Sequence, residues 1–153
     1  MGGFKGGALG TRDILKSKEI TTATYQILPS DHGKMLLLNR AAGMTITLPA
    51  DTTFFGFTVE MIVRDTFSGT WEITCETDGD LFFGAVANVS LTATKSDQFK
   101  PNGSSNDTWK ADSDAKGRAM GSNVRFVLMG TDEWLVSGTV LSAGTPASAF
   151  ADT

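Results

Sequence analysis

Asn123-Val124-Arg125-Phe126-Val127-Leu128-Met129 runs into Gly130-Thr131-Asp132 and out again through Glu133-Trp134-Leu135-Val136-Ser137-Gly138-Thr139-Val140. Two β-branched, aromatic-bearing runs joined by a Gly-Thr-Asp turn form a β-hairpin. Upstream, the same pattern repeats in shorter pieces. Trp71-Glu72-Ile73-Thr74-Cys75 alternates apolar and polar residues and ends near the turn Asp78-Gly79-Asp80. Leu81-Phe82-Phe83 and Val86 to Ala93 supply further short strands. Phe57, Val59, Met61 and Val63 share one face of a run that follows Gly56, with Ile62 an apolar breach on the other face. Met44, Ile46 and Leu48 share one face of a strand that Pro49 ends. Lys34 to Asn39 and Ile20 to Ile27 complete the series, divided by the turn cluster Pro29-Ser30-Asp31-His32-Gly33.

About ten short strands at 8–12-residue spacing predict an all-β fold. An antiparallel β-sandwich or a small jelly-roll-like β-barrel is expected, with an extended N-terminal arm. Only Lys16 to Ile20 and Ser113 to Met120 carry weak helical patterns, and no internal repeat at a solenoid period is visible. Residues 1–18 read as a flexible arm, because five of the first ten are Gly and a segment with little to bury gains little by ordering. Residues 19–141 read as the body, with a polar loop insertion around 95–121, and residues 142–153 as a small-residue tail.

Composition excludes several kinds of chemistry. Among 153 residues there are one Cys, one His and one Tyr, against 17 Gly and 20 Thr. A disulfide scaffold, a Cys/His zinc module and a His-rich metal site are excluded. The net charge is -4, so the basic surface of a nucleic-acid binder is missing. No segment has the ~20 apolar residues of a membrane span, and the N-terminus has no apolar core of a secretory signal. Gly2 lacks the Ser or Thr at position 6 that favours myristoylation, because that position is Gly6. Synthesis in a cytoplasm is expected, without nucleic-acid or membrane partners. The sequons at Asn88, Asn102 and Asn106 then have no route to glycosylation.

Each candidate for chemistry has a structural alternative that explains it better. His32 is the only side chain with an ordinary pKa near neutrality, but no G-x-S-x-G elbow accompanies it, so it reads as a turn histidine. Asp112-Ser113-Asp114-Ala115-Lys116-Gly117 opens like an EF-hand loop. It places Lys116 among the ligands, though, and Asn123 where a bidentate Glu belongs. Asp78 and Asp80 flank a turn glycine, which is ordinary turn chemistry. Cys75 reads as a small strand residue. No catalytic residue, metal or cofactor is expected. Two features remain as binding candidates. One is the arm, with Phe4, Lys5, Arg12, Lys16 and Lys18. The other is Trp109, alone in a polar stretch, as a satellite-core residue or an interface anchor.

The order Tyr25-Gln26-Ile27, Asp31-His32-Gly33-Lys34, Thr45-Ile46-Thr47-Leu48-Pro49-Ala50, Gly69-Thr70-Trp71-Glu72-Ile73-Thr74 and Gly130-Thr131-Asp132-Glu133-Trp134-Leu135-Val136-Ser137-Gly138 covers about three quarters of the chain. It resembles the capsid decoration (cement) proteins of tailed bacteriophages, and is similar to β modules of phage head and tail fibres. The resemblance implies a non-enzymatic virion protein on the outer capsid surface. It implies a homotrimer whose partner is the major capsid protein, bridging neighbouring subunits. A fibre module that recognises a host glycan through Trp109 and loop Asp residues is the alternative.

Overall fold

The computed structural model describes residues 16–50 and 54–152. Among them are twelve strands: β1 (Ser17–Ile20), β2 (Thr24–Gln26), β3 (Met35–Leu38), β4 (Met44–Leu48), β5 (Thr58–Val63), β6 (Trp71–Cys75), β7 (Leu81–Ser90), β8 (Ser96–Phe99), β9 (Thr108–Ala111), β10 (Asn123–Gly130), β11 (Glu133–Ser142) and β12 (Phe150–Ala151). Single 3-10 turns occupy Pro29–Asp31 and Asp114–Lys116. A seven-stranded sheet in the order β1-β3-β5-β10-β11-β7-β8 lies over a five-stranded sheet in the order β12-β9-β6-β4-β2. The fold is an all-β sandwich.

The strand directions differ from the antiparallel expectation. β1–β3, β3–β5, β2–β4, β4–β6 and β7–β11 are parallel pairs. The reason is a winding in the first half of the chain. Odd strands enter one sheet and even strands the other, so each strand pairs with the one two places before it. Ser17 lies opposite Met35 and Met35 opposite Glu60, offsets of 18 and 25 residues. Met44 lies opposite Trp71, an offset of 27. Turns of unequal length make a two-sheet coil with no repeat in the sequence.

The corners of this coil stack backbone on backbone. Met44 N–H donates to Thr70 O at 3.0 Å, Thr45 N–H to Ala23 O at 2.9 Å and Ser68 N–H to Ala41 O at 2.7 Å. A Cβ placed on Gly43 would fall 2.2 Å from Thr70 O, and one on Gly69 would fall 2.1 Å from Ala42 O. Only glycine allows the approach, and Gly43 also has φ +94°.

One core fills the space between the sheets. Across the five-stranded sheet, register aligns Tyr25, Ile46, Ile73, Trp109 and Phe150 in a row. Leu36, Met61, Val124 and Val86 lie in one row of the other sheet and are buried. Each fully buried Leu, Ile or Phe side chain contributes roughly 1.5–3 kcal/mol. The β10–β11 hairpin is present as its sequence predicts, with Val124, Phe126, Leu128, Trp134, Val136 and Val140 buried.

Three boundaries move. Ser17 and Lys18 belong to β1 and not to the arm, so Ser17 to Ile20 is extended where a weak helical pattern stood. The polar stretch 95–121 contains β9, where the sequence suggests a short strand around Thr108-Trp109-Lys110, and also β8, which the sequence reading leaves as loop. The C-terminal segment is not a loose tail, since β12 pairs with β9 and Ala149 is 2% exposed.

Candidate functional site

Four places gather polar or aromatic groups. The first is built on Asp31, whose carboxylate is fully buried. It accepts from Tyr25 Oη at 2.5 Å, Leu28 N–H at 3.1 Å and Lys34 Nζ at 2.9 Å, with Lys18 Nζ at 3.6 Å. Lys18 also donates to Tyr25 Oη and sits over its ring. Burial opposes ionisation of Asp31. The hydrogen bonds from Tyr25, Lys34 and Leu28, with the Lys18 charge, outweigh it and hold the carboxyl below its usual range. The cluster ties β1 and β3 of one sheet to β2 of the other. Lys18 is thus a structural residue whose ammonium is engaged.

The second is a buried polar group beneath the β10–β11 hairpin. Asp80 accepts from Trp134 Nε1 at 3.0 Å and is itself fully buried. Burial pushes the Cys75 thiol well above its usual range, and the nearby Asp80 and Asp107 charges push it further. A thiol so held is a poor nucleophile.

His32 and the 112–118 loop are also structural. His32 Nδ1 accepts from Thr58 N–H at 3.1 Å, and its ring packs edge-on against Phe54 with centroids 5.0 Å apart. Asp112 is paired with Lys116 at 2.9 Å, and Asp114 binds Arg118. These carboxylates are neutralised within their own loop, which is not the open oxygen cage of an EF-hand.

Trp109 is not a surface anchor. It is 1% exposed, tilted against Trp71 with ring centroids 5.9 Å apart and edge-on to Phe150 at 5.2 Å. Thr108 beside it is buried as well, and half-buried Lys110 follows. Trp109 Nε1 has no acceptor among the described residues, whereas Trp134 Nε1 binds Asp80. Trp134→Phe is therefore expected to destabilise by about 1.5–3 kcal/mol more than Trp109→Phe, the worth of a hydrogen bond to a charged acceptor. Urea denaturation of both variants checks this.

Of the arm residues, Phe4, Lys5 and Arg12 lie outside the described residues. Lys16 leads into β1, and its carbonyl accepts from Met35 N–H at 3.2 Å.

The fourth place was missed in the sequence: the outer faces of the two sheets differ. On the five-stranded sheet, register aligns Thr24, Thr45, Glu72 and Lys110 in one outward row and Gln26, Thr47 and Thr74 in the next, which ends at the buried Thr108. On the seven-stranded sheet the outward positions include Met35, Leu37, Ile62, Phe83, Val127 and Leu135, all half-buried. At its centre Arg125 and Glu60 oppose each other across β10 and β5. A depression of 240 Å³ lies beside them, lined by Gly33, Lys34, Thr58, Glu60 and Arg125. Ile62, the breach noted in β5, belongs to this face. So does the Met35-Leu36-Leu37-Leu38 run, whose strand is apolar on both sides as strands covered on both faces are.

No protein-family model matches the chain, and no curated protein matches it either.

Proposed function

We propose that this chain is a structural virion protein that works by adhesion: it binds the outer surface of a phage capsid and bridges major capsid protein subunits. The observation that carries this reading is the outer face of the seven-stranded sheet, where half-buried Met35, Leu37, Ile62, Phe83, Val127 and Leu135 stand among polar positions, set against a Thr- and Gln-rich face on the other sheet. A face that mixes apolar side chains with polar and charged ones on a rigid sandwich is suited to protein contact. The order of motifs shared with decoration proteins supports the same reading. The basic arm residues Lys5, Arg12 and Lys16, leading into edge strand β1, suit a segment that adds contacts on an acidic capsid surface. The fibre-module alternative loses Trp109 as a glycan anchor, because Trp109 is in the core, and would rest on the loop Asp residues.

Immunogold electron microscopy of purified virions of the encoding phage tests the proposal. Label distributed over the heads is expected. Label confined to tails or fibres, or virions without the protein, would overturn it.

A further inference from the structure

We propose that Asn102 is a self-processing site: the backbone nitrogen of Gly103 attacks its side-chain amide, ammonia leaves, and the aspartate or isoaspartate that remains loosens the C-terminal strand β12.

Three observations meet at this residue. Asn39, Asn88, Asn106 and Asn123 are each followed by a residue with a side chain, and Asn102 alone is followed by glycine. A side chain on the following residue crowds the nitrogen that must reach Cγ. Gly103 is exposed, has φ +72°, and even a Cβ built on it would meet only Phe83 Cε1 at 3.8 Å. The nucleophile therefore has room to move. The electrophile, by contrast, is held. Asn102 Oδ1 accepts from the N–H groups of Ser104 at 3.0 Å, Ser105 at 2.9 Å and Asn106 at 3.1 Å. Three donors draw charge onto that oxygen and stand where the oxyanion of a tetrahedral intermediate forms. They also favour the product, because a carboxylate oxygen accepts more strongly than an amide oxygen.

The step balances with water as its co-reactant. Gly103 N–H gives its proton to water as its nitrogen bonds to Cγ. The Cγ–Nδ2 bond then breaks, and ammonia leaves with a proton returned by water. A further water molecule opens the cyclic imide at either carbonyl. One opening leaves aspartate in the native backbone, and the other leaves isoaspartate in a backbone lengthened by one carbon.

Either product removes Nδ2 and so disturbs a latch. Asn102 Nδ2 donates to Ser105 Oγ at 2.7 Å, and Ser105 Oγ donates to Asp152 Oδ2 at 2.9 Å. Asp152 follows β12 directly, and its Oδ1 accepts from Asn106 Nδ2 at 2.6 Å. With a second carboxylate beside Ser105, its single hydroxyl proton has two claimants, and the new charge repels that of Asp152. The segment so released covers part of the core. Phe150 stands edge-on to Trp109, and Lys110 N–H donates to Ala149 O at 2.7 Å.

Mass spectrometry of peptides from the full chain, aged in mildly alkaline buffer, tests the site. Asn102 should convert before the other four asparagines, to aspartate and isoaspartate together, the latter identified by enzymatic methylation. In Gly103→Ala conversion should fall at least about tenfold, since the methyl crowds the attacking nitrogen. Circular dichroism should show the native fold in that variant, because nothing lies close to the new methyl. Hydrogen exchange tests the latch. The Lys110 amide should exchange several-fold faster in Asn102→Asp than in fresh wild type, and Asp152→Ala should match it. Asn102 still intact after another asparagine has converted, or converting equally fast in Gly103→Ala, would overturn the site. Lys110 exchange unchanged in both Asn102→Asp and aged protein would overturn the latch.

Discussion

Gly43→Ala is expected to destabilise the protein by about 3 kcal/mol or more. Two costs add. An L-residue at φ +94° sits in the left-handed region, at roughly 1–2 kcal/mol. The new Cβ also falls 2.2 Å from Thr70 O, a backbone atom that cannot swing aside. Relief requires the corner at 42–43 to separate from the corner at 69–70, which would break the bond from Met44 N–H to Thr70 O. Two further substitutions separate the costs. Gly33→Ala has φ +70° and no atom near its Cβ, so it should show the backbone cost alone, about 1 kcal/mol. Gly69→Ala carries no positive-φ penalty but meets Ala42 O at 2.1 Å, so it should approach the Gly43 value. Chemical denaturation of the three proteins decides the matter. A Gly43→Ala cost no larger than that of Gly33→Ala would mean that the coil corners are not tightly stacked.

Asp31→Ala is expected to cost about 3 kcal/mol at neutral pH, the low end for removing one partner of a buried ion pair. The low end applies because Lys18 and Lys34 keep 38% and 25% of their side-chain surface in solvent and can be hydrated once the carboxylate is gone. Leu28 N–H and Tyr25 Oη would also lose their acceptor. The effect depends on pH with a definite sign. Asp31 has its pKa lowered by folding, so its charge stabilises the native state above the unfolded value near 3.9. That contribution is lost as pH falls below this value toward the depressed folded pKa. Wild type and Asp31→Asn should therefore differ most at neutral pH and converge in acid. Urea midpoints measured from pH 7 down to pH 2.5 give the curve. A difference that holds constant across that range would show that the carboxylate's charge is not what holds the cluster.

The parts of the fold legible in the sequence are those set by local alternation. Met44-Thr45-Ile46-Thr47-Leu48 and the β10–β11 hairpin carry their inward faces openly, and the structure buries those residues. Strand direction was not legible, because a period of two is identical in parallel and antiparallel strands. Direction was decided by corner contacts such as Gly43 on Thr70, whose partners lie 27 residues apart. Trp109 looked isolated because burial in β9 depends on Ile73 and Phe150, its register partners from distant segments. Asp31 looked like a turn residue, which it is. Lys34 is three residues on, but Lys18 and Tyr25 join it only when β1 and β2 wind past the turn. The outer apolar face had a visible signal in Ile62 and in the unbroken Met35 to Leu38 run. A single breach becomes a surface only when register sets it beside Leu37.

The winding of β1 through β6 also bears on the time course of folding. In that half no strand pairs with its immediate neighbour in the chain, and Leu81 of β7 waits for Glu133 of β11, 52 residues on. Local hairpins at β7–β8 and β10–β11 close early, but the coil must meet much of its loop-closure entropy before its ladders form. Folding is expected to be slow for a chain of this size. At a given equilibrium stability, a slow approach to the native state implies an equally delayed departure from it. Once wound, the molecule is protected by its rate of opening as well as by the depth of its free-energy well.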